Sequence, residues 1–582
     1  MSAKPVAWIA SMKFSGGQDF AFTQKEKIVL VGPNNSGKTQ SLREILAICQ
    51  NPMPSRTVVI KEMKIKKSGT VDELRAFLDK NAELVEGNYR FRDWQIPQQH
   101  VQFWGMDGLV HGIADGFMKN VTADDRLSIC NQQKSISPGD QKSKPQHVLY
   151  DNEAEMSRIG KLFRRAFGKD LMFDYRGGSK LPIHVGAIPI ASEGSDRVSD
   201  AYVKEVRKNP LLDKQGDGMK SYAGILFEAV VANSDITLVD EPEAFLHPPQ
   251  MRRLGETLAG EVNGQLVIAT HSSDILRGFL EGTRGNVRIL RIRREAGVNV
   301  VMEAPPEAIR ELWTKPELRY SNALEGVFHD QTIICEDDSD CRLINAVADH
   351  LASESSEIWK DTAYVPTGGK GGVAKVASVL RQIGVPVKAV FDFDFLSDER
   401  LVKSVVESFG GAWGEIQPLW RRVDLAVRKG VRPKTISEIK ASIVEILAKA
   451  GEADLPKSDV IEALKQGKPW SIAKDHGVDG IPRGKVRKDY ANLKDKLEEI
   501  GIYLIPVGEI EGFCQEIGSH GPEFVAKFLS EKSLSSEDLS LLRQFVEHVH
   551  MGPHCWSKNE SLPDGTDRAQ LKAKGDAKER PE

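Results

Sequence analysis

Gly32-Pro33-Asn34-Asn35-Ser36-Gly37-Lys38-Thr39 stands between an apolar run, EKIVLVG, and a helix-like segment that begins near Thr39. The octet fits GxxxxGK[ST] in the strand, loop, helix setting that this pattern requires. Its glycines let backbone N–H groups close around phosphates, Lys38 reaches the terminal phosphates, and Thr39 offers a hydroxyl to Mg²⁺. ATP with Mg²⁺ is therefore the expected cofactor, held by Gly32, Asn34, Asn35, Ser36, Gly37, Lys38 and Thr39. An α/β nucleotide-binding domain follows from this stretch.

Working outward, VAWIASMKF reads as a strand before the loop, and a helix is expected from about Lys220 to Ala232, followed by the strands ITLVD and QLVIAT. ITLVD ends in Asp240 and Glu241, which suit Mg²⁺ binding through water and polarisation of an attacking water. QLVIAT ends at Thr270-His271-Ser272, where His271 can contact a γ-phosphate. The run EPEAFLHPPQ, Glu241 to Gln250, resembles the EPExxLHPxxQ signature of the RecF, Rad50 and OLD (overcoming lysogenization defect) relatives of ABC-type ATPases. Gly216-Asp217-Gly218-Met219-Lys220-Ser221 then resembles a degenerate ABC signature. The resemblance implies that this helix N-terminus, with Ser221, binds ATP held by a second subunit, so a homodimer or higher homo-oligomer is expected. Gln95, Gln98, Gln99 and Gln102 remain alternatives for the Q-loop glutamine.

A second alternation of strands and helices starts at QTIICE and implies another parallel sheet. Glu336 closes that first strand, and Asp340 shares a face with it if a helix begins there. Asp392 and Asp394 end VKAVFDFD with alternate spacing, and Glu509 and Glu511 repeat the spacing after IYLIPV. Six carboxylates at the C-terminal ends of three parallel strands converge on one sheet edge. Like charges so close raise one another's pKa, and Mg²⁺ or Mn²⁺ relieves the repulsion. Two such ions can clamp the attacking and leaving oxygens of a phosphodiester.

Glu, then a strand-helix unit, then DxD resembles the TOPRIM domain, and the loop Thr367-Gly368-Gly369-Lys370-Gly371-Gly372 falls between them as in OLD relatives. The Glu509/Glu511 pair after an ATPase resembles the OLD family specifically. That resemblance implies metal ligands at Glu336, Asp340, Asp392, Asp394, Glu509 and Glu511, and catalysis by Glu336, Asp392 and Asp394 together with Glu241 and His271. It also implies a lysine after the last pair, for which Lys527, Lys532 and Lys558 compete.

The 582 residues are too many for one core, and 40% apolar with 28% charged residues describes a globular chain. The expected order is an ABC-type ATPase domain at 1–310 with a decorating insertion at about 50–185, then a Rossmann-like TOPRIM domain at 325–555 with a helical insertion at about 400–497, and a disordered tail at 556–582. A formal charge of -4 leaves any basic surface local. Residues 421–494 hold 17 Lys+Arg against 10 Asp+Glu, with Trp420 and Trp470 nearby, so this run reads either as a phosphate-tracking surface or as a solvated helical face. Six cysteines without a CxxC pair, and no signal peptide or membrane span, fit a reducing cytoplasm. His548, His550, His554 and Cys555 lack zinc spacing and read as a surface cluster.

Together these readings imply an ATP-binding and ATP-hydrolysing, Mg²⁺- or Mn²⁺-dependent endonuclease that nicks or cuts DNA, expected to be double-stranded, and the OLD resemblance implies a role in defence against phage or other foreign DNA. An accessory defence protein or nucleic-acid element is a further expected partner. The alternatives are a RecF- or Rad50-type repair or sensor ATPase whose TOPRIM domain does not cut, and a nuclease acting on RNA.

Overall fold

The structure is a computed structural model and describes residues 4–51, 56–137, 140–189, 196–315, 318, 322–356, 359–430, 435–450, 456–465 and 469–554. The disordered-tail expectation for 556–582 lies outside these residues. The chain divides into two compact units, one running to Thr314 and the next starting at Lys315.

In the first unit, β1 (Val6–Phe14), β2 (Asp19–Ala21) and β3 (Lys27–Val31) lead into α1 (Lys38–Gln50) and β4 (Ile60–Ser68). Further along come β5 (Met118–Val121), α2 (Asp217–Ile225), β6 (Ile236–Asp240), α3 (Pro248–Glu261), β7 (Gln265–Ala269), α4 (Ser273–Thr283), β8 (Arg288–Glu295) and β9 (Val298–Glu303). The six-stranded sheet runs β9-β8-β3-β7-β6-β5, parallel except for the β8/β9 hairpin. Its central strands are apolar along nearly their whole length because both faces are covered, one of them by α1 together with β1 and β4. Ile28, Leu30, Leu238 and Val267 are fully buried, each worth about 1.5–3 kcal/mol of transfer free energy. Parallel order puts the loops after β3, β6 and β7 on one edge, where the phosphate loop, Asp240-Glu241 and His271 meet.

Residues 50–185 are more than decoration. β4 pairs antiparallel with β1, and β5 is the edge strand beside β6, so parts of this stretch belong to the domain's own sheets. The helix expected at Lys220 starts earlier, at Asp217, and widens into a π-helical turn over Leu226–Val231. That turn buries Glu228, whose carboxylate pairs with Lys119 at 2.5 Å.

The second unit carries β10 (Gln331–Cys335), α5 (Asp338–Glu354), β11 (Thr362–Pro366), α6 (Lys370–Gln382), β12 (Val387–Phe391) and, after a helical excursion, β13 (Ile502–Leu504). The sheet order β11-β10-β12-β13 is parallel throughout. Between β12 and β13 lie helices that include α7 (Trp413–Gly430), α8 (Pro469–His476) and α9 (Lys485–Glu499). After β13, α10 (Gly521–Glu531) and α11 (Ser540–Met551) pack their apolar faces against α5 through Phe524, Phe528, Leu542 and Val546. Among the described residues no helix is long and apolar enough to cross a membrane.

Candidate functional site

The phosphate loop is closed by its own chemistry. Gly32 sits at φ 137, and a Cβ there would meet the Ile292 carbonyl oxygen at 2.1 Å, so only glycine fits. Lys38 is buried and donates to the Gly32 and Pro33 carbonyls at 2.7 Å each, folding over the cradle that phosphates would fill. Burial lowers its ammonium to about 8, partly offset by Glu243, Glu241 and Asp240. The Thr39 hydroxyl donates directly to Asp240 at 3.0 Å, which brings together the two groups expected to hold Mg²⁺. His271 Nε2 lies 3.9 Å from Glu241, and burial followed by Lys38 keeps its imidazole below the usual pKa.

Two residues given no role in the sequence reading organise this edge. Arg126, fully buried, donates to the Asp240 carbonyl at 3.1 Å and the Glu241 carbonyl at 3.0 Å. Glu241 holds φ 43, a left-handed conformation costly for a non-glycine residue, and Arg126 clamps the backbone there. Glu243 accepts the His271 N–H at 2.6 Å and the Thr270 hydroxyl at 2.8 Å, fixing the loop after β7. Glu243 was visible inside EPE; Arg126 carried no signal, because its partners are main-chain carbonyls more than a hundred residues away.

The reading of Ser221 as an ATP contact is corrected. It is fully buried within α2 and its hydroxyl donates to Ala244 at 3.2 Å, so it has no surface to offer a second subunit. Gly216 and Asp217 are the exposed residues at that helix start. Gln95, Gln98, Gln99 and Gln102 are all exposed, and Gln98 donates to Tyr89.

In the second unit the acids gather as expected at the sheet edge, by a different local path. β12 stops at Phe391, so Asp392 caps a 3₁₀ turn over Phe393–Ser397 and Asp394 lies inside it; the two do not share one face of an extended strand. Likewise Glu509 caps a 3₁₀ turn over Ile510–Phe513 that contains Glu511. Glu336 precedes α5 and does not share its face with Asp340. Asp340 instead completes a capping box with Asp337 and is buried. Glu336 accepts the Asp392 N–H at 3.1 Å, tying β10 to β12. Glu511 accepts the Gly521 N–H at 2.8 Å at the start of α10, and His520 Nδ1 stands 3.7 Å from it.

Two lysines enter this cluster. Lys370, from the glycine loop, pairs with Asp394 and lies 3.9 Å from Glu336. Lys474, from α8, lies 2.8 Å from both Asp392 and Glu509. Burial opposes the Lys474 charge, but Asp392 and Glu509 outweigh it and hold the ammonium. Burial, then Asp392, pushes the Glu336 carboxyl up to about 8, and burial with Asp337 and Asp392 does the same to Asp340. A site of carboxylate oxygens that has drawn in two ammonium groups fits hard divalent cations such as Mg²⁺ or Mn²⁺.

The lysine expected after Glu511 is not at the acids. Lys527 pairs with Glu523 on α10, Lys532 pairs with Glu516, and Lys558 lies outside the described residues. Trp420 and Trp470 are buried, donating to the Leu396 carbonyl and to Asp424, so they are core residues and not base-stacking platforms. His550 is also buried, hydrogen-bonded to Tyr364 at 2.9 Å, while His548 pairs with Glu498; the surface-cluster reading of these histidines fails for His550. Cys555 lies outside the described residues.

Fold and sites define a P-loop ATPase domain joined to a Rossmann-like acidic domain. Residues 137–277 match the family model described as "AAA domain, putative AbiEii toxin, Type IV TA system". Residues 327–394 match "Overcoming lysogenization defect protein-like, TOPRIM domain". The chain thus carries an AAA-type ATPase domain and an OLD-like TOPRIM domain. It is similar to the Old nuclease of Escherichia phage P2, 21% identical over 288 residues, covering 48% of this chain and 43% of that protein. The chain therefore spans less than half the length of this curated relative. Similar solved structures include an Smc head domain with an extended coiled coil bound to the C-terminal domain of ScpA, from Pyrococcus furiosus, at TM-score 0.32 and 12% identity over 53% of this chain and 98% of that one. An ATP-binding cassette of an ABC transporter in its ADP conformation has TM-score 0.23 and 14% identity, covering 55% and 98%.

Proposed function

We propose that this chain is an ATP-dependent endonuclease that cuts DNA at the acidic edge of its second unit, using Mg²⁺ or Mn²⁺, in defence against phage or other foreign DNA. The observation that carries the reading is the meeting of Glu336, Asp392, Asp394 and Glu509 around two lysine ammonium groups at the C-terminal edge of one parallel sheet. Glu336, Asp340, Asp392, Asp394, Glu509 and Glu511 would hold the cations. Bound there, divalent ions supply an activated water and neutralise charge on the transferring phosphate. The Glu336 carboxylate is oriented for this by the Asp392 N–H, and that of Glu511 by the first N–H of α10.

In the first unit Lys38 would bind the terminal phosphates, Thr39 and Asp240 would hold Mg²⁺, Glu241 would orient water, and His271 would contact the γ-phosphate. The neutral imidazole of His271 can accept or donate there without adding charge. Pairing of two ATPase units around ATP is part of the proposal, with the exposed start of α2 at Gly216 and Asp217 as the surface offered to the second copy. ATP then acts as a conformational signal to the nuclease.

Relaxation of supercoiled plasmid by wild type and Lys38→Ala, with and without ATP, tests the coupling; the expected result is an ATP effect on nicking that the variant lacks. Identical profiles would sink the coupling. A labelled RNA in the same assay separates a DNA nuclease from an RNA nuclease.

A further inference from the structure

Lys474 belongs to the helical excursion between β12 and β13, yet its ammonium lies 2.8 Å from Asp392 Oδ2 and 2.8 Å from Glu509 Oε2. These oxygens come from opposite ends of that excursion, one just after β12 and one just after β13. A cation shared by the two acids would stand where the Lys474 nitrogen stands.

The backbone around Lys474 is locked to the same loop. Gly508 has φ 107, and a Cβ there would meet the Lys474 carbonyl oxygen at 1.7 Å; a Cβ on Gly477 would meet the Pro506 carbonyl oxygen at 2.2 Å. The Val478 N–H donates to the Pro506 carbonyl at 2.9 Å, and the Phe393 N–H donates to the Gly508 carbonyl at 2.7 Å. Trp470, one helical turn before Lys474, donates its indole N–H to Asp424 of α7 at 2.8 Å. The main chain thus aims Lys474 at the acids, while its four-carbon stem and partly exposed head leave the ammonium free to swing.

We propose that Lys474 is a tethered counter-cation that occupies the Asp392–Glu509 position when no divalent ion is bound, so that metal must displace it. This rests on the metal-binding reading given above. Divalent ions bind carboxylate oxygens at roughly 2.0–2.6 Å, and two cations cannot share those two oxygens at such distances. Displacement makes the apparent metal affinity equal to the intrinsic one reduced by the fraction of molecules whose acids are free. If Lys474 holds the acids in about nine molecules of ten, its removal tightens metal binding about tenfold.

Calorimetric titration of full-length wild type, Lys474→Met and Lys474→Arg with Mn²⁺ measures this directly, with thermal melting in EDTA and in Mn²⁺ alongside. The expected result is about tenfold tighter Mn²⁺ binding by Lys474→Met, a lower melting temperature for it in EDTA, and affinity near wild type for Lys474→Arg. Unchanged or weaker binding by Lys474→Met overturns the proposal while leaving the metal site standing; absence of Mn²⁺ binding by wild type overturns both. Amine acylation of the unmutated protein, read by mass spectrometry, covers the case in which Lys474→Met fails to fold. Lys474 labelling that rises when Mn²⁺ replaces EDTA supports displacement, and labelling that does not change refutes it.

Discussion

Replacing Arg126 by Met isolates the clamp on the catalytic edge of the ATPase unit. Its guanidinium makes hydrogen bonds of 3.1 Å and 3.0 Å to the carbonyls of Asp240 and Glu241, in a fully buried position. Hydrogen bonds from a charged donor contribute about 1.5–3 kcal/mol each, so the two together amount to roughly 3–6 kcal/mol. Methionine keeps the apolar stem and removes the cost of burying a charge, which offsets part of that loss. The net destabilisation should be about 2–4 kcal/mol, carried by an edge where Asp240, Glu241 and Glu243 lose their nearby cation. Glu241, no longer held at φ 43, relaxes toward ordinary backbone and its carboxylate leaves the position from which it is proposed to orient water. Steady-state ATP turnover with parallel binding of a non-hydrolysable analogue reads this out. Turnover should fall by about 100-fold while analogue affinity changes less than about threefold, since the phosphate loop itself is intact. Normal turnover in a folded Arg126→Met protein would refute the clamp.

Three further outcomes follow from named contacts. Lys38, lowered to about 8 by burial, should lose its charge in the free protein as pH rises through 8, so ATP-analogue affinity should weaken between about pH 7.5 and 9.5; Lys38→Arg should flatten that profile. Lys388, fully buried in β12, donates to the Val549 and His550 carbonyls at 2.7 and 2.6 Å at the end of α11. Burial lowers its pKa to about 7, so the unfolded chain binds the extra proton between pH 7 and 10.5 and stability should rise with pH across that window. Urea unfolding should show this rise in wild type and lose it in Lys388→Met, so the variant should gain on wild type toward the low-pH end of the window. Gly508→Ala forces a Cβ onto the Lys474 carbonyl and should detach α8, seen as new proteolytic cleavage within 469–476; an unchanged digest would contradict the backbone lock.

The phosphate loop and the Asp240-Glu241 strand end were legible because backbone-phosphate chemistry demands those residues at that spacing, within one strand, loop, helix unit. The acidic pairs were legible for their order along parallel strands, but their local geometry was not. An XDXD pattern looks alike on an extended strand and across a strand end, and here β12 and β13 end before the acids and turn into 3₁₀ helix. Ser221 looked like a ligand by its position in a motif, while burial against Ala244 is decided by how α2 packs. The tryptophans of the basic run illustrate the same limit, since their burial depends on Leu396 and Asp424, which no local pattern links to them. Lys474 was invisible for a topological reason. It sits 82 residues after Asp392 and reaches it only because the excursion returns to the sheet edge. Lys370, by contrast, lay within the glycine loop and could have been found by asking which cation of that loop faces Glu336.

The most direct test of the account is strand cleavage of supercoiled plasmid by wild type and by a folded Asp392→Ala, Asp394→Ala double variant, each with Mn²⁺ and with EDTA. Nicking by wild type in Mn²⁺, abolished both by EDTA and by the double variant, is the predicted result. Nicking that persists in the double variant, or wild type that turns over ATP but leaves the plasmid intact in Mn²⁺, would contradict an acidic edge that cuts DNA.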